Sequence, residues 1–455
     1  MDALMDGFAA CLGRDQVIVG QAAAEHAFSP WTRLGVPRAV LRPSTTEEVS
    51  AVMRIAHAAR ASVVPWGGRT GLVEGANADG AIALSFERMR AVEEVDRAGA
   101  TMTVQAGCTL DTACRAADEQ GLLLPLDFGA RGTATLGGAI ATNAGGNRVV
   151  RYGMVREMVL GLEAVLADGT VIPAMNHLLK NNAGYDLKQL FIGSEGTLGL
   201  VTRAVLRLRP KPASQVMALL SVERFDALAP LLRTLETKLA GTLSAFEVMW
   251  PEFYALVTTP PAAGRPILPG GQAYYVLVEA LGADMEADSA RFLQVLGQAL
   301  NDGLVVDAAI AKSQAERDRM WALRDDVGQT GRHGPVATFD VGLPISAMEA
   351  YVAEVRAGLR ARWPDATLTV FGHLGDGNLH LIASLADPGA RGPVEQIVYA
   401  PLGALGGTIS AEHGIGLQKR AHLGLSRTPE EVALMRTLKT ALDPLGLLNP
   451  GKVLA

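Results

Sequence analysis

Cysteine is scarce in this chain of 455 residues, and the few that occur form no paired motif. The three cysteines are Cys11, Cys108 and Cys114. Their number is odd and none stands in a Cys-x-x-Cys pair, which argues against a disulfide framework and against a zinc ribbon. We therefore do not expect a small disulfide-bonded secreted fold.

Long apolar runs and an excess of positive charge are also missing. No stretch approaches the roughly 20 apolar residues of a membrane span, so we predict no such span. The N-terminus lacks a basic segment before an apolar core, so we predict no signal peptide and a location in the bacterial cytoplasm. The formal net charge of -6 provides no basic field, so we expect no nucleic-acid partner.

Strand and helix signals alternate in the first half of the chain. Thr45 and Glu48 form a capping-box pattern before a helix predicted at 49–60, and a second capped helix is predicted at 109–120. The break at Pro210-Lys211-Pro212 indicates that the first domain ends near residue 212. The strands predicted in this half are 38–43, 61–65, 101–106, 161–167 and 199–207.

The second half continues with alternating strands and helices and indicates a sheet with helices packed against it. The chain then closes with a helix at 430–442 and a turn-rich segment, so its length divides into 1–212, 213–424 and 425–455. The strands predicted here are 217–222, 273–281 and 336–344, and the helices are 225–239, 288–300 and 348–360.

Three glycine-rich segments of the first half let main chain approach a ligand closely. They are residues 65–72, 132–147 and 193–199. Successive glycines permit unusual φ angles and expose N–H groups as an anion-binding nest. Glycine turns without a ligand are common, but three in one domain favour ligand binding. None matches a dinucleotide-binding or a phosphate-binding loop motif, which disfavours a Rossmann site.

A histidine pair is predicted at a hairpin in the second half. Asp376-Gly377 favours a two-residue β-turn, which would place His373 opposite His380. Directly opposed residues share a face with Cβ atoms roughly 5 Å apart, so both imidazoles could bind one divalent metal.

A carboxylate and a third imidazole follow about thirty residues later, at Glu412-His413 between small residues. Two histidines, one glutamate and an open position are typical of a catalytic zinc site. The alternative is a hairpin with two buried histidines whose hydrogen bonds are satisfied. The clustering of three histidines with Glu412 and many glycines favours the metal site.

Together these segments resemble the FAD-linked oxidase family whose flavin domain is shared with vanillyl-alcohol oxidase. Within it they are most similar to the D-2-hydroxyacid dehydrogenases, a branch that includes D-lactate dehydrogenase, D-2-hydroxyglutarate dehydrogenase and the flavin subunit of glycolate oxidase. The resemblance extends from about residue 36 to residue 455. It rests on segments 65–72, 134–146, 182–187, 193–199, 372–380, 412–416 and 449–452.

The resemblance implies an α+β fold with three parts. Residues 1–212 would form a two-part FAD-binding domain of the vanillyl-alcohol oxidase type. Residues 213–424 would form an α+β substrate and metal-binding domain with an antiparallel sheet, and 425–455 would return to the FAD domain. The implied cofactor-binding residues are Pro65, Gly67, Gly68, Arg69, Thr70, Gly71, Leu72, Pro125, Thr135, Gly137, Gly138, Ala141, Thr142, Ala144, Gly145, Glu195, Gly196, Gly199, Val201 and Asn449.

The family's metal and substrate residues are carried over in the same way. His373, His380 and Glu412 are the implied ligands of one divalent metal, usually zinc, and His413 is the implied catalytic base. Without the resemblance, Arg324 would be interpreted as forming a surface salt bridge with Asp325 or Asp326. The implied substrate-binding residues are Arg324, which would bind the α-carboxylate, with Thr338, His373, Asn378 and His413.

Two departures from the family pattern affect the prediction. Members with covalent FAD often carry a histidine in the first loop, whereas this chain has Arg69-Thr70, so we predict non-covalent FAD. The D-2-hydroxyglutarate enzymes tend to carry a lysine where this chain has Thr338. That cation would bind a distal carboxylate, and Arg332 or His333 could replace it.

The sequence thus predicts an FAD- and metal-dependent dehydrogenase that oxidises a D-2-hydroxy acid, with D-2-hydroxyglutarate as the favoured substrate. The alternatives are a D-lactate or glycolate-type dehydrogenase, and an oxidase that passes electrons to oxygen. A flavin transferase is disfavoured by the histidine pair, and a non-catalytic subunit by His413. Electron-transfer flavoprotein or the quinone pool is the expected electron acceptor, and the chain could form a homodimer.

Overall fold

Helices and strands alternate along the chain in the computed structural model, which describes residues 3–454. The helices are α1 (Ala3–Leu12), α2 (Gln21–His26), α3 (Thr46–Ala58), α4 (Leu110–Glu119), α5 (Leu136–Ala141), α6 (Val149–Tyr152), α7 (Val155–Met158), α8 (Lys188–Phe191), α9 (Leu228–Lys238), α10 (Pro251–Thr258), α11 (Met285–Asn301), α12 (Gln314–Asp325), α13 (Ile345–Arg362), α14 (Arg391–Tyr399) and α15 (Pro429–Leu442). The strands are β1 (Val17–Val19), β2 (Ala39–Leu41), β3 (Val63–Trp66), β4 (Ile82–Ser85), β5 (Val92–Asp96), β6 (Thr101–Gln105), β7 (Leu122–Leu123), β8 (Val159–Val165), β9 (Val171–Ala174), β10 (Leu200–Arg207), β11 (Arg209–Pro210), β12 (Ser214–Val222), β13 (Leu243–Met249), β14 (Tyr274–Gly282), β15 (Asp307–Ile310), β16 (Val336–Gly342), β17 (Thr367–Gly372) and β18 (Asn378–Ser384). None of the helices within 3–454 has the length and hydropathy needed to cross a membrane.

These elements form two units. The described part of the first consists of residues 3–146, 153–211 and 412–454, and the second of 147–152 and 212–411. The closing segment joins the first unit from Glu412 onward. The reason is local, because the buried carboxylate of Glu195 accepts hydrogen bonds from the backbone of Ile415 and Gly416. The predicted division at residues 212 and 424 stays a prediction.

The first unit contains two larger sheets and one small pair of strands. The order in the four-stranded sheet is β1-β2-β4-β3, with β4 parallel to both β2 and β3. The five-stranded sheet, in the order β5-β6-β10-β8-β9, is antiparallel throughout. Helix α3 buries Val49, Val52, Met53 and Ala56, which recur at helical spacing and so form one apolar face.

The second unit is built on one antiparallel sheet of seven strands, in the order β15-β12-β14-β13-β17-β18-β16. One face packs against α10 and α12 through a cluster that includes Phe253, Tyr254, Leu323 and Phe371. The predicted α+β fold with an antiparallel sheet in the second half is confirmed. The same face carries the polar residues of the candidate site, because alternate residues of a strand point to the same side.

The predicted hairpin register is wrong. Strand β17 ends at Gly372, a 3-10 turn occupies Leu374–Asp376, and His380 pairs with Phe371 rather than with His373. The loop is longer than two residues because Leu374 is buried in it and the N–H groups of Asp376 and Asn378 both donate to His373 O. The two imidazoles are nevertheless neighbours, with ring centroids 5.0 Å apart.

Candidate functional site

The three glycine loops come together in the first unit. A Cβ atom on Gly68 would collide with Thr133 O of the second loop, so only glycine permits this contact. A Cβ atom on Gly196 would lie 2.6 Å from Cγ of Pro65, which joins the third loop to the first. The N–H of Glu195 donates to Ala141 O at 2.7 Å, which joins the third loop to the second.

The backbone of the first loop fits an anionic group of a cofactor. Within the described part of the chain, the N–H groups of residues 67–72 donate to no protein acceptor. Consecutive unpaired N–H groups in a glycine-rich segment form a nest for a phosphate oxygen. Arg69 is held by the protein itself, since its Nη1 donates to His26 O at 2.6 Å.

All predicted cofactor-binding residues lie in the first unit. Thr135 is the N-cap of α5 and accepts from the N–H of Gly138 at 3.3 Å. Asn449 brings the closing segment to the loops, because its Nδ2 donates to Glu195 O at 2.7 Å and to Gly75 O at 3.0 Å. Its Oδ1 is buried and has no hydrogen-bond partner among residues 3–454, so it is an acceptor that a cofactor hydroxyl could satisfy.

The remaining cofactor predictions fall beside these contacts. The backbone or side chains of Thr142 and Ala144 hydrogen-bond within the second loop, and Gly199 precedes β10, in which Val201 is buried. The others lie in or next to the three loops: Thr70, Gly71, Leu72, Pro125, Gly137 and Gly145.

Glu195 has a structural function that the sequence did not indicate. Its two carboxylate oxygens accept from the N–H groups of Ile415 and Gly416 at 2.6 and 2.8 Å. Burial raises the pKa of this carboxyl, against the lowering effect of these two N–H groups and of Lys419. The contact fixes the segment that begins with Glu412-His413, in which His413 adopts a left-handed backbone with φ of 66°.

His373 and His380 of the second unit are both held at Nδ1 by buried carboxylates. His373 Nδ1 lies 2.8 Å from Glu247 Oε1, and His380 Nδ1 lies 2.6 Å from Asp340 Oδ1. A carboxylate that accepts from Nδ1–H leaves Nε2 as the nitrogen with a lone pair, which is the arrangement of carboxylate–histidine–metal sites. The donor chemistry therefore fits a divalent metal at the two Nε2 atoms.

The guanidinium group of Arg324 lies beside the Nε2 atoms of these two histidines. Its Nε donates to Glu247 Oε2 at 2.8 Å, and its Nη2 lies 3.2 Å from His373 Nε2 and 3.5 Å from His380 Nε2. The surface salt bridge considered from the sequence is weak, since Asp325 Oδ1 is 3.9 Å from Nη1. Helix α12 carries Arg324, and Trp321 anchors that helix through a 3.1 Å hydrogen bond to the buried Glu279.

Glu247 is ionised in these surroundings. Burial by itself would raise its pKa, but the positive charge of Arg324 and the hydrogen bonds from His373 and Arg324 lower the pKa below its ordinary value. Its side chain is 1% exposed, so the two partners rather than water stabilise the negative charge.

Two further predicted substrate residues lie on the strands that carry this cluster. Asn378 and His380 are two apart in β18 and therefore face the same side of the sheet. Asn378 Oδ1 is buried and has no hydrogen-bond partner in the described chain. Thr338 lies two residues before Asp340 in β16, on the face that Asp340 and His380 share, and pairs with Ile382.

Arg332 does not provide the distal cation considered from the sequence. Its Nη1 donates to Leu256 O at 3.0 Å and to Thr259 O at 3.2 Å, and its Nη2 donates to Pro260 O. These carbonyls lie at the C-terminal end of α10, so Arg332 caps that helix instead.

Comparison with known proteins identifies the family. A sequence family described as the C-terminal domain of FAD-linked oxidases matches residues 211–453, and an FAD-binding domain family matches residues 37–174. This chain belongs to the FAD-linked oxidases. The predicted resemblance is confirmed, and the protein is an FAD-dependent oxidoreductase.

Two curated relatives support this assignment, and one solved structure shares the fold. The D-2-hydroxyglutarate dehydrogenase of Xanthomonas citri pv. viticola is 42% identical over 448 residues, covering 94% of this chain and 92% of that protein. The mitochondrial D-2-hydroxyglutarate dehydrogenase of Bos taurus is 41% identical, covering 93% of this chain and 78% of that protein. The fold is similar to 4-ethylphenol oxidase from Gulosibacter chungangensis, with a TM-score of 0.78, 19% identity, and coverage of 99% of this chain and 96% of that one.

The sequence reasoning missed Glu247 as a member of this FAD-linked oxidase's site. One signal was available, because Glu247 is a charged residue inside the otherwise apolar run Phe246-Glu247-Val248-Met249. A charge in a fully buried strand needs a partner of opposite charge. Its partners, however, are 77 and 126 residues away in sequence, so local patterning could not name them.

Proposed function

We propose that this chain oxidises D-2-hydroxyglutarate to the 2-oxo acid, with non-covalent FAD and one divalent metal, zinc by preference. The observation that carries the proposal is the near full-length similarity to proteins named D-2-hydroxyglutarate dehydrogenase. The convergence of Arg324 with two carboxylate-supported histidines supports it, because a 2-hydroxy acid offers a carboxylate and a hydroxyl on adjacent atoms.

His373 and His380 would hold the metal through Nε2, and Glu412 would complete the ligand set. Glu412 follows Ala411, whose N–H donates to Asp340 O at 3.1 Å. Such a metal supplies Lewis acidity that lowers the pKa of an alcohol.

Three further side chains would bind the substrate and remove its hydroxyl proton. Arg324 would bind the α-carboxylate through its Nη atoms, since Nε is already engaged with Glu247. Its Nη2, which lies 3.2 Å from His373 Nε2 and 3.5 Å from His380 Nε2, would turn from these lone pairs to the substrate when the metal takes them. Asn378 Oδ1 accepts a hydrogen bond from a polar substrate group. His413 takes the hydroxyl proton near neutral pH. Bound FAD supplies the acceptor for the hydride that leaves the α-carbon.

Non-covalent attachment of FAD is directly testable. The first loop carries Arg69-Thr70, and His26, which reaches this loop, does so through its carbonyl while its Nε2 faces Glu87 at 3.0 Å. We expect a yellow purified protein whose flavin passes to the supernatant after acid precipitation. Flavin in the pellet would contradict non-covalent binding, and a colourless protein that takes up no added FAD would contradict the cofactor itself.

D-lactate-like acids are the second candidate, because Thr338 is uncharged and Arg332 is engaged in capping α10. His333 remains the other predicted source of a distal cation. A dye-reduction screen should compare D-2-hydroxyglutarate, D-lactate, D-malate, glycolate and D-mandelate. We expect the highest kcat/KM for D-2-hydroxyglutarate, and a higher value for D-lactate would reverse this assignment.

The same screen tests the enantiomer. A metal on the hydroxyl side, Arg324 on the carboxylate and the flavin at the α-carbon define three points, which suffices to select one hand. We expect the L-acid of the best substrate to reduce the flavin much more slowly than the D-acid. Equal rates would contradict the three-point arrangement. Rapid reoxidation of the reduced flavin by air in stopped flow would favour an oxidase.

The cytoplasmic location, the electron acceptor and the homodimer stay predictions. The name of the Bos taurus relative gives a mitochondrial location for that relative only.

A further inference from the structure

We propose that Glu247 is a positioning residue that sets both the metal affinity of His373 and the substrate affinity of Arg324. The inference rests on the proposed function, in which these two residues hold the metal and the α-carboxylate. The carboxylate of Glu247 would then affect both the binding of the metal and the binding of the substrate carboxylate.

The geometry of Glu247 supports a double task. Each of its oxygens has its own partner: Oε1 lies 2.8 Å from His373 Nδ1, and Oε2 accepts from Arg324 Nε at 2.8 Å. The residue stands in the middle of β13, between the buried Phe246 and Val248, on the face that packs against α12. Because the carboxylate is 1% exposed, water cannot replace either partner.

The contact with His373 determines which ring nitrogen can bind a metal. A carboxylate accepts but cannot donate, so it requires the proton on Nδ1 and leaves the lone pair on Nε2. Loss of such an outer carboxylate typically lowers metal affinity about 10–100-fold.

The contact with Arg324 fixes the plane of a guanidinium group. Arginine has a long side chain with large rotamer freedom, and its donors match a carboxylate only when the plane is correctly turned. By holding Nε, Glu247 leaves the two Nη atoms as the edge that faces other groups. Arg324 is also held over the ring of Phe371, with Cζ 4.9 Å from the centroid.

Asp340 provides a matched control within the same sheet. It is a buried carboxylate that binds Nδ1 of His380 at 2.6 Å. In contrast to Glu247, Asp340 is not among the hydrogen-bond partners of Arg324 within residues 3–454, which are Glu247, His373 and His380. Loss of Asp340 should therefore weaken the metal alone, whereas loss of Glu247 should weaken both metal and substrate.

The test compares Glu247→Ala with Asp340→Ala in the FAD-loaded protein. Zinc affinity is measured without turnover, by competition with a chromophoric chelator, and KM is measured at saturating zinc. We expect the zinc dissociation constant to rise about 10–100-fold in both variants. KM for D-2-hydroxyglutarate should rise about tenfold or more in Glu247→Ala only, because a charged hydrogen bond is lost there. Equal KM values in the two variants would overturn the proposal.

A double-mutant cycle excludes a general loss of structure. If Glu247 acts on the substrate through Arg324, adding Glu247→Ala to Arg324→Ala should leave KM unchanged. A further rise would show that the effect does not pass through Arg324. If Glu247→Ala fails to fold, Glu247→Gln preserves the volume but has only one acceptor oxygen for the two hydrogen bonds, so an unchanged zinc affinity together with an unchanged KM in that variant would also overturn the proposal.

Failure of the proposed function gives a different result. A wild-type protein that binds no zinc would refute the metal part of that function. The KM values of the double-mutant cycle would still show whether Glu247 acts on the substrate through Arg324. A wild-type protein that prefers another D-2-hydroxy acid would change only the substrate used in the assay.

Discussion

Replacement of His373 by asparagine should strongly reduce turnover while leaving the flavin spectrum intact. An asparagine amide can still donate to Glu247, as His373 Nδ1 does, but it offers no Nε2 to a metal. Lewis-acid stabilisation is worth several kcal/mol, and each 1.36 kcal/mol corresponds to a factor of ten in rate. We therefore expect kcat/KM to fall by about 10²–10³-fold. The flavin should be unaffected, because all predicted FAD contacts lie in the other unit.

Two controls accompany this variant. Prolonged chelation of the wild-type protein should reproduce the loss, and added zinc should restore activity to the wild type but not to His373→Asn. His57→Asn, in the last turn of α3, replaces a histidine outside the site and should retain activity. Full activity of a wild-type preparation shown to be free of metal would contradict the metal site.

Replacement of His413 by asparagine should slow flavin reduction while zinc remains bound. Loss of a positioned general base typically costs about 10²–10⁴ in rate. Asparagine is the appropriate substitution because His413 has a φ of 66°, a region that asparagine adopts at lower cost than alanine. The measurement is the single-turnover rate of flavin reduction by the substrate, followed in stopped flow.

The outcome for His413 separates a base from a structural residue. Glu195 fixes the backbone just after His413 through Ile415 and Gly416, so the segment should keep its conformation in the variant. Unchanged zinc content and thermal stability with a slow reduction step would support the base. A reduction rate within about threefold of the wild type would assign proton removal to another group.

Local patterns explain why several elements could be predicted from the sequence. Helix α4 begins after the N-cap Thr109, whose side chain accepts from the N–H of Thr112, as its capping pattern indicated. Helix α15 has a full capping box between Thr428 and Glu431. These signals involve residues three or four apart, so they need no knowledge of the rest of the fold.

The amino-acid sequence by itself determined the residue types of the site. The glycines at Gly68 and Gly196, the imidazoles of His373 and His380 and the family resemblance are all properties of short segments. The alternating strand and helix signals indicated a sheet with helices packed against it, and the family resemblance implied that this sheet is antiparallel. None of these features depends on the register in which two strands pair.

Only the tertiary structure decided which groups hold the site residues in position. The hairpin register, Glu247 between His373 and Arg324, and the use of Arg332 as a helix cap depend on strands and helices that are far apart in sequence. The physical reason is that a buried charge takes whichever partner the packed sheet brings within hydrogen-bond distance. Sequence spacing carries no information about that distance.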